Sequence, residues 1–268
     1  MGKILFEEAL SIMSVSFQLY LIVCPLIFLG AFVDSIAGGG GLITLPAYLM
    51  AGLPAHLAAG TNKVVAGPGS LVASIRYFRS GKILLPVALW AGLGSLIGGY
   101  IGAEIAKHLP ASVLQGLMLI ALPFMAVFLA VRKNFGQETQ PKTMDARKQM
   151  GISLAVGLGI GLYDGIIGPG TGTLLIMAFT AFLSIDMVTA SGCAKVANLA
   201  SNIAAATSYI IGGHVLWQLA LPALCCSMLG GYCGSQYAIR GGGKRIRSMI
   251  LVVLGLMFVK MLYELITK

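Results

Sequence analysis

DSIAGGGGLITLP, residues Asp34 to Pro46, sets an acid and four successive glycines between two long apolar runs. A glycine inside a helix costs about 1 kcal/mol relative to alanine, so four together end one. The run before them extends from Ser11 to Val33. It is far longer than the apolar core of a signal peptide, and no small-residue cleavage site with a polar sequence after it is present, so a retained transmembrane helix is expected. The backbone therefore breaks where an apolar chain should stay helical.

Composition identifies the solvent. Of 268 residues 57% are hydrophobic and 10% charged, with a mean hydropathy of +0.91, which excludes a soluble domain of this size. An all-α polytopic membrane protein is expected. The net charge of +9 comes from 18 Lys and Arg against 9 Asp and Glu. Most of these cations stand at the ends of apolar segments, where they orient helices and meet head groups, so the implied partner is membrane lipid and not nucleic acid. Cys24, Cys193, Cys225, Cys226 and Cys233 lie in apolar runs without metal-ligand spacing. They are expected to be buried small hydrophobes, and neither a metal nor a cofactor is expected.

Apolar stretches fall at 12–33, 41–51, 56–78, 83–105, 111–131, 150–167, 172–183, 187–211, 215–239 and 246–266. Crossing the hydrocarbon core takes roughly 20 residues, so 41–51 and 172–183 are half-helices that either cross at a tilt or re-enter. Each follows a glycine-rich break. The polar segment Arg132 to Gln149, net +3, divides the chain into a first transmembrane repeat over 1–131, a basic cytoplasmic linker over 132–149 and a second repeat over 150–268.

The halves are related. A shift of 132 positions lays GTNKVV over GCAKVA, Lys63 over Lys195, Tyr77 over Tyr209 and GGYIG over GGYCG. Upstream, a shift of 130 lays DSIAGGG over DGIIGPG and Asp34 over Asp164. Matching glycines alone would mean little in such a chain, but the shared Asp, Lys and Tyr register indicates duplication into two repeats of about five segments. In the first half Arg76, Arg79 and Lys82 mark the loop between the third and fourth segments as cytoplasmic. The equivalent loop of the second half, IIGGH, has no Lys or Arg; there Arg240, Lys244, Arg245 and Arg247 follow the fourth segment. Inverted-topology repeats would produce that exchange, with both termini outside.

A helix that starts inside the membrane presents unsatisfied N–H groups and the positive end of its dipole, which attract an anion. Such breaks in matching positions of two inverted halves are the usual place of a transporter's substrate site. The candidate substrate ligands are thus Gly38, Gly39, Gly40 and Gly41 with Gly168, Gly170, Thr171, Gly172 and Thr173. The competing account is that the glycines only let helices pack closely, which is the better one for Gly98, Gly99 and Gly102. Lys63 and Lys195 are deep cations, whereas Lys260 is near enough to the C-terminus to snorkel. Asp34 and Asp164 are the deep acids, suited either to carrying coupled protons or to pairing with the lysines. Thr61, Asn62, Ser191 and Asn198 supply neutral donors nearby. Ser201 and Asn202 do so too, or they join helices.

DSIAGGGGLITLPAYLMAGLPAHLAAGTNK resembles the signature of the TauE/SafE sulfite exporter family, and GIIGPGTGTLLIM with ASGCAKVANL resembles its degenerate second copy. The resemblance covers nearly the whole chain. It implies a bacterial-type inner-membrane permease, often an exporter, for sulfite or small organosulfonates such as sulfoacetate. Pro169, Thr171 and Thr173 depart from an all-glycine run and make the two half-sites unequal. A sulfonate spreads its charge over several oxygens and suits several moderate donors; the same donors would also accept carboxylate or phosphate.

Two other classes compete with an anion transporter. A lipid-phosphate enzyme would need a nucleophile or an acid cluster, and His56, His108 and His214 fall at segment ends, so no catalytic base suggests itself. A cation or metal permease would need several converging acids, histidines or thiols, whereas two lysines oppose the two deep acids.

Overall fold

The computed structural model describes residues 17–114, 116–117 and 144–266, and for residues 17, 18, 250, 251 and 253–266 the backbone alone. The apolar stretch 111–131, most of the linker 132–149, the start of the first apolar run and the side chain of Lys260 therefore lie wholly or largely outside the described residues. Among the described residues the regular elements are helices: α1 Phe17–Ala37, α2 Gly41–Met50, α3 Ala55–Arg79, α4 Leu85–His108, α5 Ala146–Ile166, α6 Thr171–Leu183, α7 Met187–Ile211 and α8 Trp217–Ile266. At Gly242, φ 66°, α8 leaves helical geometry, which separates the two apolar stretches expected at 215–239 and 246–266. Pro25, Pro46, Pro68 and Pro222 sit inside helices, as neighbouring helices in a membrane protein allow.

Helix directions follow from close backbone approaches. Gly230 faces Phe28 and Gly234 faces Phe32, so α1 runs parallel to α8; Gly60 faces His214 and Gly69 faces Ser227, so α3 does as well. On the other side Gly94, Gly98 and Gly102 face Leu154, Leu158 and Leu162 in turn, making α4 parallel to α5. Cys193 lies at Leu84, Ser201 at Gly99 and Ser208 at Lys107, so α7 is parallel to both. Gly60 also meets Tyr209, near the far end of α7, so the two triplets are antiparallel. Since α1 and α3 run the same way, the chain must return between them. The ten residues of α2, about 15 Å at 1.5 Å per residue, make that return, and α6 does the same between α5 and α7.

Packing is inverted relative to a water-soluble protein. Leu89, Leu93, Leu96 and Ile101 of α4 are exposed while Lys63, Asp164, Lys195, Asn198 and Ser201 are buried. Lipid tails give helices no hydrophobic reason to associate, so close backbone contact and polar pairing hold them. The α4–α5 seam shows the first. A Cβ at Gly98 would lie 2.3 Å from the Leu158 carbonyl oxygen, and one at Gly161 2.6 Å from Ser95 Cα. Gly99 abuts Ser201 on α7 in the same way, so Gly98, Gly99 and Gly102 are packing glycines.

Candidate functional site

The two breaks meet. Gly38 and Gly168 take positive φ, 78° and 87°, as does Gly170 at 80°, a region that glycine enters without a Cβ penalty. A Cβ on Gly38 would stand 2.1 Å from the carbonyl carbon of Gly172, and one on Gly41 3.2 Å from Pro169 Cα. Thr173 Oγ1 donates to the Ala37 carbonyl at 2.6 Å, tying the start of α6 to the end of α1. Glycine here serves close approach and chain reversal together.

Around this crossing the four deep charges form two ion pairs, each joining one half to the other. Lys195 Nζ stands 2.5 Å from Asp34 Oδ2, and Lys63 Nζ 2.7 Å from Asp164 Oδ2. The pairs differ in surroundings. Asp164 is 3% exposed and also accepts from Thr171 Oγ1 at 2.7 Å and Ser201 Oγ at 2.7 Å, whereas the Asp34 side chain is 19% exposed. Its other donors, the Gly40 amide at 3.2 Å and Asn198 Nδ2 at 3.4 Å, are long. Asp34 is thus held by one strong contact and Asp164 by three. The four groups sum to zero charge, so the lysines are not free cations as a bare anion cradle would have them.

Beside the crossing lies a cavity of about 540 Å³, its open mouth included. Of the expected site residues, Asp34, Gly38, Gly40, Gly41, Asn62, Lys63, Asp164, Gly168, Thr171 and Asn198 stand in its wall. Gly39, Thr61, Gly170, Gly172, Thr173, Ser191 and Lys195 do not. Thr61 Oγ1 accepts from the Leu216 amide at 3.0 Å, Ser191 Oγ reaches the Ile36 carbonyl at 3.5 Å, and Lys195 stands behind Asp34 with 0% exposure. The cavity is therefore offset toward the first half. Its wall also holds Ser35, Thr44, Ser70, Asn202 and Ser227. Thr44 Oγ1 donates to Asn62 Oδ1 at 2.6 Å, which fixes the amide beside Lys63. The sequence offered Asn202 as either a donor near the lysines or a helix-joining residue; it did not point to the others, although Ser70 lies seven residues from Lys63 and so on the same helical face.

The histidines cluster away from the cavity, at the end where α3 begins. His56 Nε2 is 3.1 Å from the Leu109 carbonyl and its ring lies 5.5 Å from that of His214. In the loop between α7 and α8, burial lowers the His214 pKa, and His56 and Lys107 lower it further. His108 Nδ1 lies 2.7 Å from the Glu104 carbonyl. Among the described residues no three metal-ligating side chains converge.

The chain matches the family model described as Sulfite exporter TauE/SafE over residues 23–261. It is 31% identical over 241 residues to a Haemophilus influenzae protein named "Probable membrane transporter protein", covering 88% of this chain and 92% of that one. It is 34% identical over 226 residues to "Probable membrane transporter protein ORF9" of Sinorhizobium sp, 84% and 85% of the two chains. With "Probable membrane transporter protein YfcA" of Escherichia coli K12 it shares 32% over 236 residues, 88% and 87%. No solved structure matches the chain.

Proposed function

This chain belongs to the TauE/SafE sulfite exporter family of membrane transporters, and from that premise we propose that it moves a small sulfur-containing anion, sulfite or an organosulfonate such as sulfoacetate, outward across a bacterial-type inner membrane. The observation that carries this is the meeting of two helix breaks and two crossed Lys–Asp pairs at one cavity wall. An anion enters such a site by taking over a lysine or helix-end N–H groups from a carboxylate, and because the site is neutral, the anion must loosen a pair that already exists. The oppositely directed counterpart helices, α1 with α5, α3 with α7 and α4 with α8, support two inverted repeats over 1–131 and 150–268 joined by a cytoplasmic linker.

Orientation rests on charge. Tyr77, Met187 and Ile246 share one cluster, and Ile83, Met144 and Ile152 another. These place Arg79, Lys82, Arg147, Lys148 and Arg240 at one end of the molecule, which the excess of cations makes cytoplasmic, with the termini outside. Exchange of labelled sulfite, sulfoacetate, taurine, phosphate and nickel into proteoliposomes tests the substrate. Uptake of sulfite or sulfoacetate above phosphate is expected; transport of phosphate or nickel alone would refute the proposal.

A further inference from the structure

Helical serines and threonines in this protein normally either return their hydroxyl to the carbonyl four residues back or donate to another segment, as Ser95 does to Gly157 and Ser208 to Glu104. Ser35 donates to Ala31, Ser153 to Gln149, Thr180 to Ile176 and Ser235 to Gly231, all within 2.9 Å. Such a bond is what makes a hydroxyl tolerable in an apolar helix. Ser70 and Ser74 of α3 make neither. They are 2% and 7% exposed, and neither Oγ has a hydrogen-bond partner. A buried hydroxyl without a partner is costly and marks a place where something polar belongs.

Both lie on the face of α3 that carries Lys63. Offsets of seven and eleven residues return to nearly the same direction around a helix, and at 1.5 Å per residue they stand about 10 and 16 Å beyond Lys63 toward the end bearing Arg79 and Lys82. Ser70 is in the cavity wall and Ser74 is one turn past it. Three residues further, Tyr77 Oη donates to the Ser35 carbonyl at 3.0 Å and closes the face against α1. The counterpart face of α7 is different. Asn202, which takes the place of Ser70, donates to Asn198 Oδ1 at 3.4 Å, and Ala206 takes the place of Ser74.

We infer that Ser70 and Ser74 are anion-binding hydroxyls on a one-sided path that leads from the central cavity along α3 to the basic end, sealed at Tyr77 in this conformation. The path rests on the proposed anion transport. Each hydroxyl donates in turn to an oxyanion leaving Lys63, which explains why both stand free on α3 while the matching positions of α7 carry Asn202 and Ala206. Ser70 meets the anion in the state seen here, and Ser74 only when the Tyr77 contact opens.

The test uses the full-length protein in proteoliposomes, with its five native cysteines replaced by alanine or serine, carrying S70C or S74C. The probe is a methanethiosulfonate bearing an ethylsulfonate group, itself a small sulfonate. S70C should be modified, and sulfoacetate at ten times its Kd should slow the modification about tenfold by occupancy. S74C should react faster during transport than at rest. In the unmodified protein, Ser70→Ala should raise the KM for sulfoacetate about tenfold, as loss of a hydrogen bond to a charged group does, while Ser70→Thr keeps it near normal. If S70C resists the sulfonate reagent yet reacts with a lipophilic maleimide, or reacts without protection by a transported anion, the path is refuted. If the wild type moves no sulfur anion but S70C is modified and another transported anion protects it, the path stands and the substrate proposal fails.

Discussion

Lys63 and Lys195 occupy matched positions in the sequence, yet their partners make them energetically unequal. Asp164 has three short donors and almost no exposure. Removing Lys63 strands a buried carboxylate, so Lys63→Met should cost about 3–5 kcal/mol, and adding Asp164→Asn should recover most of it. Lys195→Met leaves Asp34 with partial access to the cavity, and the loss should be smaller. Thermal unfolding in detergent compares the three variants with wild type; equal losses at the two sites would contradict the asymmetry. Wild-type sulfonate binding in the stable double variant would remove Lys63 from the ligand set. His214 supplies a pH dependence of its own. Its pKa is lowered in the folded protein from the usual 6.5. Below that value the unfolded chain binds a proton that the folded one resists, so stability is full above about pH 6.5 and falls as pH drops through the interval beneath it. His214→Gln should flatten unfolding temperature against pH between 7 and 5; an unchanged slope would assign the effect elsewhere.

The half-helices are placed by what their glycines touch. Gly40 would put a Cβ 2.5 Å from Asp34 Cβ and 2.6 Å from the Gly30 carbonyl oxygen, so a side chain there disturbs the α1–α2 reversal before it reaches a ligand. Gly38 combines positive φ with the contact on Gly172, and Gly38→Ala should cost on the order of 3 kcal/mol or more. Gly98→Ala, against the α5 backbone, should also destabilise. Gly159, with nothing within 4 Å of its Cβ position, is the control: alanine there should change stability by less than about 1 kcal/mol. Unfolding temperatures ordered Gly38 and Gly98 variants below wild type, with Gly159→Ala at or above it, are the expected outcome. A Gly38→Ala protein as stable as wild type would mean the breaks do not press together.

At the scale of the molecule, two antiparallel triplets flank a cavity beside four deep charges that sum to zero, and the cations gather at one end. A reporter inserted in the 80–84 loop should therefore read cytoplasmic and one at the 212–216 loop external; the reverse would overturn the orientation. The sequence by itself determined the membrane solvent, the helical class, the positions of both breaks and the four deep charges. Each of these is a local property: transfer cost or backbone tolerance can be summed residue by residue along the chain. It left open whether α2 and α6 cross or return, which lysine meets which acid, and which half lines the cavity. Those depend on how segments more than 100 residues apart are directed against one another. Asp34 and Lys63 are close in sequence and share a half, but with α1 parallel to α3 and antiparallel to α7, the short contact of Asp34 is to Lys195. The same arrangement leaves Ser70 facing the cavity while Ser191 is turned to the Ile36 carbonyl. Only the tertiary structure could make that choice, because burying a charge is tolerable only against the partner that packing brings to it.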